Sequence, residues 1–170
     1  GFTRDGAAAE RLVVPGHLVH PIDDNVSWES AALVEPASVV WRALTRAQPP
    51  AGGRVLIIGD GTIAMLAATL VRQFDPTQVV VLGAREEQRA LSQHAGVDVF
   101  TTDAAEAGGE FDLVVDAAGT AAATQRALAT PARGGTVLLL GYPGAQRVEL
   151  PVDDIVNGDV VIIGSFSYTR

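Results

Sequence analysis

The residues with the clearest chemical potential are Gly59-Asp60-Gly61-Thr62-Ile63-Ala64, directly after the apolar run Val55-Leu56-Ile57-Ile58. A glycine-lined turn between a buried strand and a helix is suited to gripping a diphosphate. Gly59 permits the sharp exit from the strand, and Gly61 lets backbone N–H groups approach a pyrophosphate with no Cβ between. Ala64 is small enough for close helix-on-strand packing. The helix start, at Thr62 and Ile63, then offers unpaired N–H groups and the positive end of its dipole. An ordinary tight turn is the plainer reading, disfavoured because strand and helix flank the motif in the required order. Asp60 is discordant: a carboxylate aimed at pyrophosphate repels it, so its side chain is expected to point away.

The second chemical signal is Val81-Leu82-Gly83-Ala84-Arg85. A site of this kind that takes NAD carries an acid at the end of its second strand, accepting from the ribose 2′-hydroxyl. Gly83 stands at that place, leaving room for a 2′-phosphate, and Arg85 supplies charge-assisted, bidentate bonding to it. The expected cofactor is therefore NADP(H), with NAD as the alternative. Arg89, one helical turn later, reads as a solvated residue of a polar helix.

The elements that must position these residues follow from periodicity. Val55 to Ile58 reads as a strand covered on both faces, and Ile63, Leu66, Ala67, Leu70, Val71 and Phe74 recur at helical spacing after it. Further strands are predicted over 79–82, 97–100, 111–115, 136–140 and 160–163, with helices over about 85–94, ending at Gly96, and 120–128. Ser27 is a candidate N-cap, and Pro36 is the expected first residue of a helix reaching about Arg46. Such alternation predicts an α/β fold, a Rossmann doubly wound parallel six-stranded sheet in the order 3-2-1-4-5-6. Before it, Arg11 to Val14 and Leu18 to Ile22 are short extended stretches broken by Pro15, Gly16 and Pro21. Asp153 and Asp154 read as a solvated turn.

Composition removes several classes of function. The 170 residues are 48% hydrophobic, and 12 Lys plus Arg stand against 20 Asp plus Glu, a net charge of −8. That balance opposes an extended nucleic-acid footprint, which needs a basic stripe, but not one phosphorylated small molecule. The chain has no cysteine, hence no disulfide, thiolate metal site or cysteine nucleophile. With no bilayer-length apolar run and no signal-peptide pattern, a soluble cytoplasmic protein is the expectation. His17, His20 and His94 fit no metal spacing.

Several stretches in collinear order resemble the zinc-containing medium-chain dehydrogenase/reductase family, in its sorbitol, threonine and glucose dehydrogenase-like branch. They are Ala8 to Pro15 with Pro21, Ala31 to Pro36, Val55 to Leu66, Val114 to Gly119, Gly134 to Val137 with Gly141, and Gly164-Ser165-Phe166. The resemblance implies hydride transfer between a nicotinamide and an alcohol or carbonyl substrate, with catalytic zinc in the full-length enzyme. It implies that residues 1–23 are the remnant of a GroES-like catalytic domain, 24–50 connecting helices and 51–170 the NADP-binding domain. It places pyrophosphate at Gly59, Gly61, Thr62 and Ile63, adenosine ribose around Gly83 to Arg85, and the nicotinamide half along Ala117, Ala118, Gly119, Gly141, Ser165, Phe166 and Ser167. Glu35 matches a glutamate that is a zinc ligand or near-ligand in some branches, and equally suits a helix start. Without cysteine and histidine partners, this chain alone is not expected to hold that zinc. The apolar run 160–163 belongs at a sheet edge, where the resemblance implies a homodimer. A zinc-free quinone or enoyl reductase of the same superfamily and a non-catalytic NADPH-binding protein stand as alternatives. A methyltransferase is disfavoured, because such sites want the acid that Gly83 replaces.

Overall fold

Apolar runs without polar alternation are stable only where both faces of a sheet are covered. The structure, a computed structural model describing residues 6–144 and 146–168, has that arrangement. The chain divides between Leu33 and Val34 into two units. In the first, a 3-10 turn spans Gly16–Leu18 and helix α1 spans Trp28–Ala32; the Ser27 hydroxyl caps α1 by accepting from Ser30 N at 3.2 Å. The stretches 11–14 and 18–22 pair into no strand among the described residues.

The second unit begins with helix α2 (Val34–Ala47) and continues as strand β1 (Arg54–Ile58), helix α3 (Thr62–Val71), β2 (Gln78–Leu82), α4 (Arg89–His94), β3 (Val99–Thr101) and α5 (Ala104–Ala107). It closes with β4 (Phe111–Asp116), α6 (Ala121–Leu128), β5 (Pro131–Leu139), α7 (Val152–Asn157) and β6 (Val161–Gly164). The six strands form one parallel sheet in the predicted order, β3-β2-β1-β4-β5-β6. Successive side chains of β1 point to opposite faces. Val55 and Ile57 join Val79, Val81, Leu113, Val115 and Leu138 under α2 and α3. Leu56 and Ile58 join Val80, Leu82, Val114 and Val137 against Ala123, Ala127 and Leu128 of α6. α3 turns Ala64, Met65, Ala67, Ala68 and Val71 to the core it shares with α2, while Ile63, Leu66 and Leu70, and Phe74 in the 3-10 turn that follows, are only partly buried. The three alanines bring the helix close to the sheet, so that of its longer side chains Met65 is buried while Ile63, Leu66 and Leu70 stay partly open.

Several expectations are corrected at element ends. α2 starts two residues before Pro36, which is tolerated because first-turn N–H groups have no intrahelical acceptor. The helix expected over 85–94 is a 3-10 turn, Glu86–Gln88, followed by α4, and Gly96 (φ +77°) ends it as anticipated. Asp153 and Asp154 lie in the first turn of α7, where carboxylates stabilise the dipole, and not in a free turn. β3 starts two residues later than expected, and β5 starts at Pro131, with a register shift opposite Phe111 and Leu113. α5, capped by Asp103 accepting from Ala105 N at 2.8 Å, is too short to leave a periodic signal. The run 160–163 supplies edge strand β6, in which Val161 and Ile162 are exposed.

Leu138 is fully buried and Val156 is exposed. Leu138→Ala is expected to cost about 3 kcal/mol in urea unfolding, and Val156→Ala less than about 0.5 kcal/mol; equal losses would refute the two-faced core.

Candidate functional site

In this strand order the connections leaving β1 and β4 run to opposite sides, which opens a crevice at the carboxyl ends of the two strands. Three loops meet there. Gly59, at φ +119°, turns out of β1 and donates its N–H to Leu82 O at 2.9 Å. A Cβ on it would lie 3.0 Å from Ala118 N and 3.1 Å from Ala117 C, so the glycine loop rests on the loop after β4. A Cβ on Gly141 would strike Gly119, with its Cα at 2.5 Å, so the loop after β5 rests on the same segment from the other side. Gly61, by contrast, faces open space: no atom lies within 4 Å of where its Cβ would be. Thr62 and Ile63 begin α3 immediately behind it.

One buried carboxylate ties these loops together. Asp116, the last residue of β4, is 0% exposed. Its Oδ1 accepts from Ala118 N at 3.1 Å and Gly119 N at 3.3 Å, and its Oδ2 accepts from the Thr124 hydroxyl at 2.6 Å. Its carbonyl accepts from Leu140 N at 3.0 Å and Gly141 N at 2.7 Å. Asp116 was not among the residues singled out from the sequence. The signal was its position: a carboxylate directly after the apolar run Leu113-Val114-Val115 must find donors, and the glycine-containing loop beyond supplies them.

At the end of β2 the expected features are present but arranged differently. The side of Gly83 that a Cβ would occupy is filled, with Phe100 Cζ at 2.7 Å and Asp60 Oδ2 at 3.0 Å. Asp60 does turn away from the open face of the glycine loop, and it turns toward this corner. Its Oδ2 accepts from Ala84 N and Arg85 N, both at 2.8 Å, and its Oδ1 from Arg85 Nε at 3.1 Å and Nη2 at 2.7 Å. Burial pushes the Asp60 carboxyl up, but the Arg85 guanidinium and the two backbone N–H groups together outweigh it and hold the carboxyl below its ordinary value of 3.8. The Arg85 side chain stays 49% exposed. Arg89 pairs with Glu86 and donates to Phe100 O at 2.6 Å, as suits a surface residue.

The remaining candidates lie farther along the sheet. Ser165 follows β6, and its N–H donates to Leu139 O at 3.1 Å. α2 reaches this segment through two arginines that sequence reasoning passed over. Arg42 Nη1 donates to Ser165 Oγ at 3.3 Å and Phe166 O at 3.4 Å, and Arg46 Nη1 donates to Gly164 O at 2.5 Å. Phe166 is 75% exposed, and Ser167 adopts φ +58°. Glu35 is exposed in the first turn of α2, where the dipole accounts for it. Among the described residues no three His, Cys, Asp or Glu side chains gather as a metal site, so Glu35 has no companions and the residues present do not fit zinc. Nor is any helix among them long and apolar enough to cross a membrane.

Gly141→Ala forces backbone against backbone and is expected to lower stability by at least about 2 kcal/mol in denaturant unfolding; a neutral result would refute the close approach. Asp60 makes an acid-sensitive contribution. Its folded-state pKa is depressed, so its stabilisation is present above the ordinary carboxylate value and lost as pH falls through the folded one. Between about pH 5 and about pH 3, Asp60→Asn should therefore lose less stability than wild type, and parallel acid limbs would contradict the pairing.

Comparison with known proteins agrees with this geometry. Residues 58–170 match the family model described as zinc-binding dehydrogenase. A sorbitol dehydrogenase of Bacillus subtilis is 29% identical across 98% of this chain and 50% of its own length. A D-arabinitol dehydrogenase of Uromyces fabae is 31% identical across 98% of this chain and 52% of its own. The chain thus spans about half the length of these relatives. Among solved structures, a zinc-binding dehydrogenase of Sinorhizobium meliloti bound to NADP superposes with a TM-score of 0.76 at 25% identity, covering 81% of this chain and 44% of that one. An alcohol dehydrogenase of Escherichia coli complexed with NADH shares the fold, with a TM-score of 0.83 at 20% identity over 92% of this chain and 49% of that one. With the sheet order, the crevice loops and the matched residues in agreement, the chain belongs to the zinc-binding dehydrogenase family, of which it carries the Rossmann cofactor-domain fold.

Proposed function

We propose that this chain is the NADP(H)-binding part of a zinc-type alcohol or polyol dehydrogenase, which transfers hydride between a nicotinamide and an alcohol or carbonyl substrate. The observation that carries the cofactor preference is the corner after β2. Asp60, beside that corner, has its carboxylate oxygens occupied by protein donors, while the Arg85 side chain stays half exposed. An anion is favoured there, and a ribose hydroxyl finds no vacant carboxylate.

A dinucleotide fits the chain's own residues. The open face of Gly61 and the first N–H groups of α3, at Thr62 and Ile63, receive the pyrophosphate. The corner at Gly83 and Arg85 takes the phosphorylated ribose. Ala117, Ala118, Gly119 and Gly141, held by Asp116, bed the nicotinamide half, with Ser165 to Ser167 alongside under the grip of Arg42. The nicotinamide, when bound, supplies the hydride acceptor or donor, and these loops fix its face and keep water from it. In this reading residues 1–23 belong with a GroES-like catalytic domain, 24–50 connect, and 51–170 bind cofactor. The further ligands of a catalytic zinc are then supplied from outside this chain, with Glu35 as the candidate ligand or near-ligand within it. The exposed edge of β6 serves a homodimer in a soluble, cytoplasmic enzyme.

Calorimetric titration checks the cofactor claim. NADP⁺ should bind more tightly than NAD⁺, and Arg85→Ala should erase about 10- to 100-fold of that preference, the worth of charged hydrogen bonds. Equal affinities in wild type, or an unchanged preference in the variant, would sink the reading.

A further inference from the structure

The Asp60–Arg85 pair does more than neutralise two surface charges. An ionised carboxylate offers about four acceptor positions, and Asp60 meets four N–H donors: Ala84 N, Arg85 N, Arg85 Nε and Arg85 Nη2. It is 7% exposed, so it has neither lone pair nor access to spare for a ribose hydroxyl. Gly83 makes this possible, since its Cβ would fall 3.0 Å from Asp60 Oδ2. An acid side chain at position 83 would crowd the inward-turned Asp60 carboxylate and repel its charge. Glu86, the next acid along, is bound to Arg89 and does not compete for Arg85.

The guanidinium is held by its Nε–Nη2 edge. Nη2 also donates to the Asp60 carbonyl at 3.3 Å, and Nη1 has no protein acceptor among the described residues, which leaves Nη1 as the nitrogen of the half-exposed side chain still open to an anion. A long arginine side chain otherwise loses rotamer freedom when it captures an anion, and a side chain already fixed loses less.

We propose that Asp60 is a positioning residue for cofactor choice: from within the glycine loop it holds Arg85 by Nε and Nη2 and so aims the unpaired Nη1 at the 2′-phosphate of the adenosine ribose. This inference rests on the NADP(H) reading above. The strand end carries a glycine and no acid to read a 2′-hydroxyl, and the acid in the loop supports the cation that reads a phosphate.

The probes are adenosine 2′,5′-bisphosphate and adenosine 5′-monophosphate, titrated calorimetrically against the full chain. Asp60→Asn keeps an oxygen for Ala84 N and Arg85 N, but its amide cannot accept from the guanidinium. The bisphosphate is expected to weaken about tenfold and the monophosphate by less than about twofold, the loss of one charge-assisted contact. In an Arg85→Ala background, Asp60→Asn should leave the ratio of the two affinities unaltered. An unchanged ratio in the single variant, or tighter bisphosphate binding, overturns the inference while the cofactor reading stands. Loss of both ligands together marks a purely structural carboxylate and also overturns it. Equal binding of both probes by wild type removes the cofactor reading itself, and this inference with it.

Discussion

Contact between bare backbones at the mouth of the sheet is the constraint on which the rest depends. The loops after β1, β4 and β5 touch through Gly59, Ala117 to Gly119 and Gly141, at separations that exclude a Cβ. A parallel sheet buried on both faces leaves only its strand ends to face a ligand. Bringing three of those ends together concentrates polar backbone in one place, and that backbone needs partners when nothing is bound. Asp116 supplies them from beneath, with one carboxylate bonded to two loop N–H groups and a helix hydroxyl. The crevice is therefore shaped by the protein's own hydrogen bonds, and a ligand entering it meets loops already in place.

The sheet was legible because its signals are redundant. Runs such as Val79 to Leu82 and Phe111 to Val115 lie between turn residues, and each must be covered on both faces, so order and handedness followed from general rules. Element ends were less legible, for local reasons. Pro131 begins β5 beside a register shift that no periodicity announces, and α5 spans only Ala104–Ala107. Asp153 and Asp154 look the same in a turn and in the first turn of a helix; the difference lies in the backbone bonds after them, where Gly158 N donates to Asp154 O at 2.8 Å.

The site was legible wherever chemistry and spacing are local in sequence, as in the glycine loop and the Gly83–Arg85 corner. It was illegible where two distant residues share one function. Asp60 looks misplaced in the glycine loop until its partner 25 positions away is known. Arg42 and Arg46 read as ordinary helix-surface residues until the segment after β6, more than a hundred residues on, is seen against them. Asp116 was in view within its motif, but its role depends on Thr124 and on the approach of Gly141, which only the packed loops disclose.

A net charge of −8 is no obstacle to anion binding here, because the relevant field is local. Two acids of the crevice loops are matched inside the fold: Asp116 is buried among N–H and O–H donors, and Asp60 is matched by Arg85. What the proposed site offers an anion is the start of α3 and the unpaired Nη1 of a held guanidinium. Exposed carboxylates elsewhere lie behind solvent screening, and their effect fades over about 8 Å at physiological salt. An acidic chain can therefore attract a polyphosphate wherever its own acids are consumed inside the fold, as the Asp60 carboxylate is at the Arg85 corner.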